Sequence, residues 1–397
     1  MADGTNFLHI LSTDELCDFC EKSQGSEFIG FDTEFVSENR YQPELCLLQV
    51  ATDSEIAIID TVEVPDVTPF WELLTEGDHV TVAHAAREEF LFCFRAIGKK
   101  PKNLFDVQLA AGFVGMDYPA AYSGLVSQLL GEFVSKGETR TDWRRRPLST
   151  KQINYAVQDV VFLRRLYDCL SKRLREMKRL DWYQQEAKTW MKELQRTDTE
   201  PQWRRVGGIT RLNRRGLARV KELWIFRDQT ARKQNRLTKR VLPDDLIVEI
   251  AKRGSSDPSS FNAIRGFESR VSKKLVTGIS KAVEKANNVN DADLPMRPRH
   301  SKTVNLGLLG QFLTTALNVV CRSQNIAPSL VGTASDTRAL AAARLGLLKK
   351  EEAPPELSEG WRKQIVGQVI EDALQGKIAI RVGDPKSDHP LKIEQLE

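Results

Sequence analysis

Chemistry could begin at two carboxylates set two residues apart in an otherwise apolar and aromatic run, Phe28-Ile29-Gly30-Phe31-Asp32-Thr33-Glu34-Phe35. The run reads as a strand. Side chains in a strand alternate, so Phe28, Gly30, Asp32 and Glu34 share one face while Ile29, Phe31, Thr33 and Phe35 take the other. Like charges that close, among bulky apolar groups, repel each other and lift at least one pKa unless a cation lies between them. A divalent metal meets that need, and paired oxygen ligands suit magnesium or manganese better than zinc. An edge strand whose acids face water is the plainer alternative. A second candidate pair is Tyr155 and Asp159, four apart on a helix expected from about Thr150 to Lys172, where Ser149 and Gln152 make a capping box. A tyrosine hydroxyl beside a metal-ligating carboxylate can hold or polarise a water, the alternative being a core tyrosine next to a solvated acid.

The elements around these residues follow from pattern. A helix from about Asp14 to Ser23 precedes the acidic strand, and Leu45–Ala51 and Glu55–Asp60 follow as strands joined by the turn-like Thr52-Asp53-Ser54. Trp71–Leu74 sits in a short helix, His79–Ala83 is a fourth strand, and Ala86–Ile97 has helical periodicity. Leu104-Phe105-Asp106 is short and extended, with helices at Val107–Val114 and Leu125–Phe133. This is an α/β layer arrangement. Residues 171–208 read as a polar helical connector packed down by Trp182, Trp190 and Trp203. Beyond it come helices at Leu217–Gln234 and Leu246–Lys252, the second capped by Leu242-Pro243-Asp244-Asp245, a third starting at Asp257-Pro258-Ser259-Ser260 and a fourth at Val271–Ala286. After a polar break at 287–302, helices at Leu306–Gln324, Ser335–Leu345 and Trp361–Gln375 form a further module, and Lys377–Val382 alternates like a short strand.

At 397 residues the chain is long enough for two or three domains. Its net charge of +4 conceals an asymmetry: residues 201–300 carry 23 Lys and Arg against 10 Asp and Glu, a surplus of 13 that leaves the remainder at −9. An acidic, metal-seeking part joined to a basic part suits a polyphosphate substrate, although a basic helix is also an ordinary solvated surface. The basic run Arg232-Lys233 through Lys239-Arg240 is a candidate nucleic-acid contact that would track phosphates without reading bases. Six scattered cysteines are expected as free thiols, and the Cys17-x-x-Cys20 pair lies in a capped amphipathic helix with no second pair to complete a zinc site. Met1–Leu11 has no basic region followed by an apolar core, and no apolar run approaches bilayer length, so a cytoplasmic protein without membrane contact is expected.

Taken together, Asp32-x-Glu34, the His84-led segment and Tyr155-x-x-x-Asp159 resemble the DEDD exonucleases with tyrosine in the last motif, and within them the ribonuclease D family. The likeness extends to Phe31–Val36, Leu45–Gln49, Leu104–Gln108, Arg140–Trp143 with Arg146-Pro147-Leu148, and Tyr155–Val160. Leu223-Trp224-Arg227 and Leu242–Leu246 resemble the HRDC domain, which also occurs in RecQ-type helicases, and the last module is similar to a second, divergent HRDC-like domain. The resemblance implies a ribonuclease H-like α/β exonuclease domain with a mixed sheet over 1–175, a helical connector over 176–210, an HRDC domain over 211–290, a linker over 291–304 and a helical HRDC-like domain over 305–397.

By that resemblance Asp32, Glu34, Glu89 and Asp159 hold two divalent ions, Mg2+ or Mn2+, with Tyr155 orienting the attacking water. The implied reaction removes nucleoside 5′-monophosphates from RNA with a free 3′ end, tRNA precursors among them, without a nucleotide cofactor and as a monomer. One residue departs from the pattern. Where the family's second motif has aspartate five residues after the histidine, His84-Ala85-Ala86-Arg87-Glu88-Glu89 places Glu89, whose extra methylene could shift a metal or hold it through water. Reduced or manganese-favouring activity is expected. A DNA 3′–5′ exonuclease and a catalytically impaired RNA-binding protein are the alternative readings.

Overall fold

The computed structural model describes residues 6–134, 141–297, 306–347 and 354–396. Arg140 and much of the expected linker lie outside them. The chain divides into two compact units: residues 1–34, 46–192 and 301–397 form the first, and residues 35–45 and 193–300 the second.

The first unit is built on a six-stranded mixed sheet in the order β1-β4-β3-β2-β5-β6, with β1 Leu8–Ile10, β2 Phe28–Val36, β3 Glu44–Thr52, β4 Ile56–Asp60, β5 Val80–Ala83 and β6 Leu104–Asp106. β3 and β4 are antiparallel, while β1 with β4, β2 with β5, and β5 with β6 run parallel. Helices cover both faces. On one, Phe31 of β2 meets Phe70 and Trp71 of α2 (Thr68–Glu76) edge-on, and α1 (Thr13–Ser23) and α3 (Arg87–Ile97) pack beside α2. On the other, Phe28, Ala51, Val82 and Phe105 join α4 (Val107–Phe113), α5 (Tyr122–Leu130) and α7 (Leu163–Glu176) in one apolar core. β1 is an addition to the expected strands, since three residues identify a strand only through their pairing with β4.

α1 has the expected capped start, which takes the form of a capping box, Ser12 Oγ accepting from the Glu15 N–H and the Glu15 carboxylate from the Ser12 N–H. The expected helix over 150–172 is broken instead into α6 (Thr150–Val161) and α7 at Phe162, whose φ of −99° and ψ of −2° leave the helical ladder. α6 keeps its Ser149–Gln152 capping box. The cause of the break is Tyr122, whose hydroxyl donates to the Gln158 carbonyl at 3.1 Å and accepts from the Phe162 N–H at 3.4 Å.

The last helical module, with helices Gly307–Ser323 and Ala334–Arg344, belongs to the first unit and shares the core of α4, α5 and α7. Buried Arg179 donates to the carbonyls of Phe113, Gln324 and Asn325, and Arg362 makes a bidentate pair with Glu186 of the helix α8 (Leu180–Thr199). Trp182 stacks on Trp361, and Trp190 meets Phe90. The tail forms an antiparallel hairpin of β7 (Ile378–Val382) and β8 (Leu391–Gln395), the second strand again being defined only by pairing.

The second unit is a helical bundle led by α9 (Arg214–Gln234), which Asn213 caps through the Gly216 N–H. Helices Asp244–Arg253 and Val276–Asn287 pack on it through Leu217, Leu223, Ile250, Ile279 and Val283. Neither Asp244 nor Asp245 is the N-cap, because they are the first two residues of the helix and Pro243, which has no capping side chain, precedes it. Asp244 instead takes a 2.5 Å ion pair from buried Arg227, which also donates to the Leu242 carbonyl.

One glycine decides how close α7 comes to the sheet. A Cβ at Gly30 would lie 3.1 Å from Leu163 Cβ and 2.8 Å from the Phe28 ring. Gly30→Ala is therefore expected to destabilise the fold by about 1–3 kcal/mol in equilibrium denaturation, as overpacking does. A variant as stable as the wild type would mean that α7 is not seated on β2 this closely.

Candidate active site

The close approach at Gly30 carries the site with it. Asp32 follows Gly30 by two residues on the same strand face, and Asp159 lies four residues before Leu163 across the break at Phe162, so the seat of Leu163 on Gly30 brings the end of α6 and its Asp159 toward Asp32. Glu89 arrives from the first turn of α3 and is 5% exposed. Three elements thus deliver four acids to one place.

The charges register each other. Burial, then repulsion from Asp159, Glu89 and Glu34, holds the Asp32 carboxyl well above the ordinary carboxylate range. Burial followed by repulsion from Asp159 and Glu89 lifts Glu34 to about 8. Burial lifts Asp159 to about 8, opposed by a hydrogen bond from Tyr155, and lifts Glu89 to about 7, opposed by one from Thr33. The Tyr155 phenol is pushed up by its own burial and by the neighbouring acids, so it stays protonated and donates to Asp159. This is the expected one-turn pairing on α6.

The residues fit a hard divalent cation. All four donors are carboxylates, and Asp159 Oδ2 is buried without a hydrogen-bond partner. Among the described residues no three His, Cys, Asp or Glu side chains are already closed into a ligand shell. Glu89 is turned to Thr33, whose hydroxyl donates to its Oε1 at 2.7 Å, and Asp159 is turned to Tyr155.

Thr33 is a functional neighbour that pattern reading passed over, because its side chain leaves β2 on the face opposite Asp32. Asp106 is another. Its buried carboxylate accepts from the backbone N–H groups of Ala85 and Ala86, both at 3.1 Å, and of Gln108 at 2.8 Å, tying the entry of α3 to the start of α4. Ala85, at a φ of 56°, turns the chain between β5 and α3. Arg146 forms the third support: it clasps Asp60 with two 2.5 Å bonds and donates to the carbonyls of Cys46 and Trp143. Trp143 lies 6.1 Å from the Tyr155 ring, so this clasp fixes the wall behind Tyr155. His84 donates through Nε2 to the Ala120 carbonyl at 2.9 Å.

The basic candidates lie in the second unit. Arg232 stacks on Tyr41 at 5.2 Å and donates to its hydroxyl, and Lys239 reaches Asp244 at 3.6 Å. Lys233 and Arg240 are exposed. All six cysteines are free, Cys17 and Cys20 included, and no described helix is long and apolar enough to cross a membrane.

Known proteins agree with this architecture. Residues 8–175 match the 3′–5′ exonuclease family model, and residues 216–283 match the HRDC domain. The chain is 33% identical over 382 residues to ribonuclease D of Gluconacetobacter diazotrophicus, covering 94% of each, and 30% identical over 362 residues to that of Desulfotalea psychrophila, covering 90% of this chain and 96% of the relative. The crystal structure of Escherichia coli RNase D superimposes with a TM-score of 0.80 at 24% identity, over 94% of this chain and 99% of that one. With an exonuclease domain carrying the carboxylates and an HRDC domain behind it, the chain belongs to the ribonuclease D family of 3′–5′ exoribonucleases.

Proposed function

We propose that Asp32, Glu34, Glu89 and Asp159 hold two divalent ions and that the chain trims RNA from the 3′ end, releasing nucleoside 5′-monophosphates. The observation that carries this is the convergence of four acids, Glu89 buried and Asp32, Glu34 and Asp159 half-buried, one oxygen of which has no partner. Divalent ions held there would polarise the attacking water and offset charge at the scissile phosphate and leaving oxygen. Tyr155, protonated and anchored to Asp159, orients that water. Glu89, held by Thr33, would serve as a further carboxylate ligand, directly or through water, and its length and tether would slow the reaction or favour manganese.

Precursor tRNA and other small structured RNAs with 3′ extensions are the proposed substrates, and the E. coli relative is described as acting in structured RNA processing. The bundle over 211–290 would add grip through Arg232, Lys233, Lys239 and Arg240. Lys233 and Arg240 are the freer pair for phosphates, since Arg232 is engaged with Tyr41 and Lys239 with Asp244. We place the protein in the cytoplasm as a monomer.

Two outcomes test this. Carboxyls raised in the folded chain bind more protons folded than unfolded, so their contribution to stability is complete below the ordinary value of 4.5 and is lost as pH rises toward about 8. In chelator the melting temperature should fall across that window, Mg2+ should flatten the slope, and Asp32→Asn should reduce it. Equal slopes with and without Mg2+ would contradict metal binding at the cluster.

The second is digestion of a 3′-tailed, 5′-labelled RNA and its DNA counterpart in Mg2+ and then Mn2+. The RNA should shorten stepwise from the 3′ end. Asp32→Ala should slow the reaction on the order of 100-fold or more, Tyr155→Phe about 100-fold, and Glu89→Asp should quicken it in Mg2+. Tight RNA binding without a ladder in either metal would instead identify a binding platform.

A further inference from the structure

We propose that Tyr122 is a positioning residue for Asp159: its hydroxyl, inserted between α6 and α7, fixes the last turn of α6 so that the Asp159 carboxylate can join Asp32 at a metal ion. The inference rests on the reading of Asp159 as a metal ligand.

An unbroken helix would run the Phe162 N–H to the Gln158 carbonyl. Tyr122 Oη stands in that gap, donating to Gln158 at 3.1 Å and accepting from Phe162 at 3.4 Å. A hydroxyl is both donor and acceptor, so one group satisfies both ends of the opened bond and the break leaves no orphan there. Its consequence is a break at Phe162, three residues after Asp159. α7 can then seat Leu163 on Gly30 while α6 keeps Asp159 aimed at the acidic end of β2.

Tyr122 is itself held. The His84 ring meets it edge-on at 5.6 Å, and the Ala120 carbonyl two residues earlier accepts from both His84 Nε2 and Gln108 Nε2 at 2.9 Å. The segment before it is fastened to the last helical module, where the Ala327 N–H donates to Gly112 and Ser329 Oγ to Tyr118. Tyr122 is half-buried, and desolvation together with the charges of Asp159 and Asp32 holds its phenol well above the ordinary value, so the hydroxyl keeps its proton. Nothing in the proposed reaction otherwise uses this hydroxyl.

Tyr122→Phe keeps the ring and removes the oxygen. On the full chain, isothermal titration with Mn2+ alone should show affinity weakened about 10-fold, and kcat should fall about 10-fold with the KM for RNA unchanged, the scale of losses seen when a group supporting a metal ligand is removed. Leu166→Ala, in the α7 core beyond the break, is the companion variant: it should lower the melting temperature without weakening Mn2+ binding. Mn2+ affinity within twofold of wild type in Tyr122→Phe would overturn the inference while leaving the metal site standing. So would an equal loss in Leu166→Ala, because the effect would then be general loosening. A wild type that binds no Mn2+ would overturn the metal site and this inference together.

Discussion

Four carboxylates held in one desolvated place repel each other, and the rest of the first unit is arranged around that cost. Desolvation is the largest part of that cost: it lifts Glu34, Glu89 and Asp159 to about 8, 7 and 8, and at Glu34 repulsion from Asp159 and Glu89 adds to it. No local preference would assemble it. The acids come from a strand and two helices separated by long stretches of chain, so their meeting is imposed by tertiary packing, above all by the bare Gly30 that lets Leu163 down onto β2. The stability given up at such a site has to be supplied by the surrounding core.

Three polar devices hold the frame. Asp106 binds the turn before α3 and the start of α4 with one carboxylate, Arg146 locks the 141–147 segment to Asp60 behind Tyr155, and Tyr122 occupies the helix break above Asp159. Each is satisfied on more than one side, so each couples two elements instead of decorating one. The last helical module enters this network from below, since it fastens the segment that leads to Tyr122 and shares the same apolar core. Its placement gives it a share in shaping the site, where an isolated module could contribute only substrate contact.

What the amino-acid sequence discloses follows from how local each feature is. The strand at 28–36 and the acids on one of its faces are legible because alternation is a property of the strand itself, and the boxes at Ser12 and Ser149 are legible because a cap spans three residues. The helix break at Phe162 is not, because a hydroxyl 40 residues earlier makes it. Thr33 escapes for a related reason: alternation assigns it away from the acids, and only the packing of α3 brings Glu89 round to it. Apolar periodicity identifies the helices of the last module but cannot say that their partner is the exonuclease core. In the second unit, Asp244 looks like a cap until Arg227 is seen beneath it.

Anomalous diffraction from crystals grown with Mn2+ tests the central claim most directly. Two peaks within ligand distance of Asp32, Glu34, Glu89 and Asp159, with Glu89 turned away from Thr33 or linked through water, are the predicted result. A cluster that stays free of Mn2+ and keeps its hydrogen bonds to Thr33 and Tyr155, in crystals of protein that still shortens RNA, would contradict it.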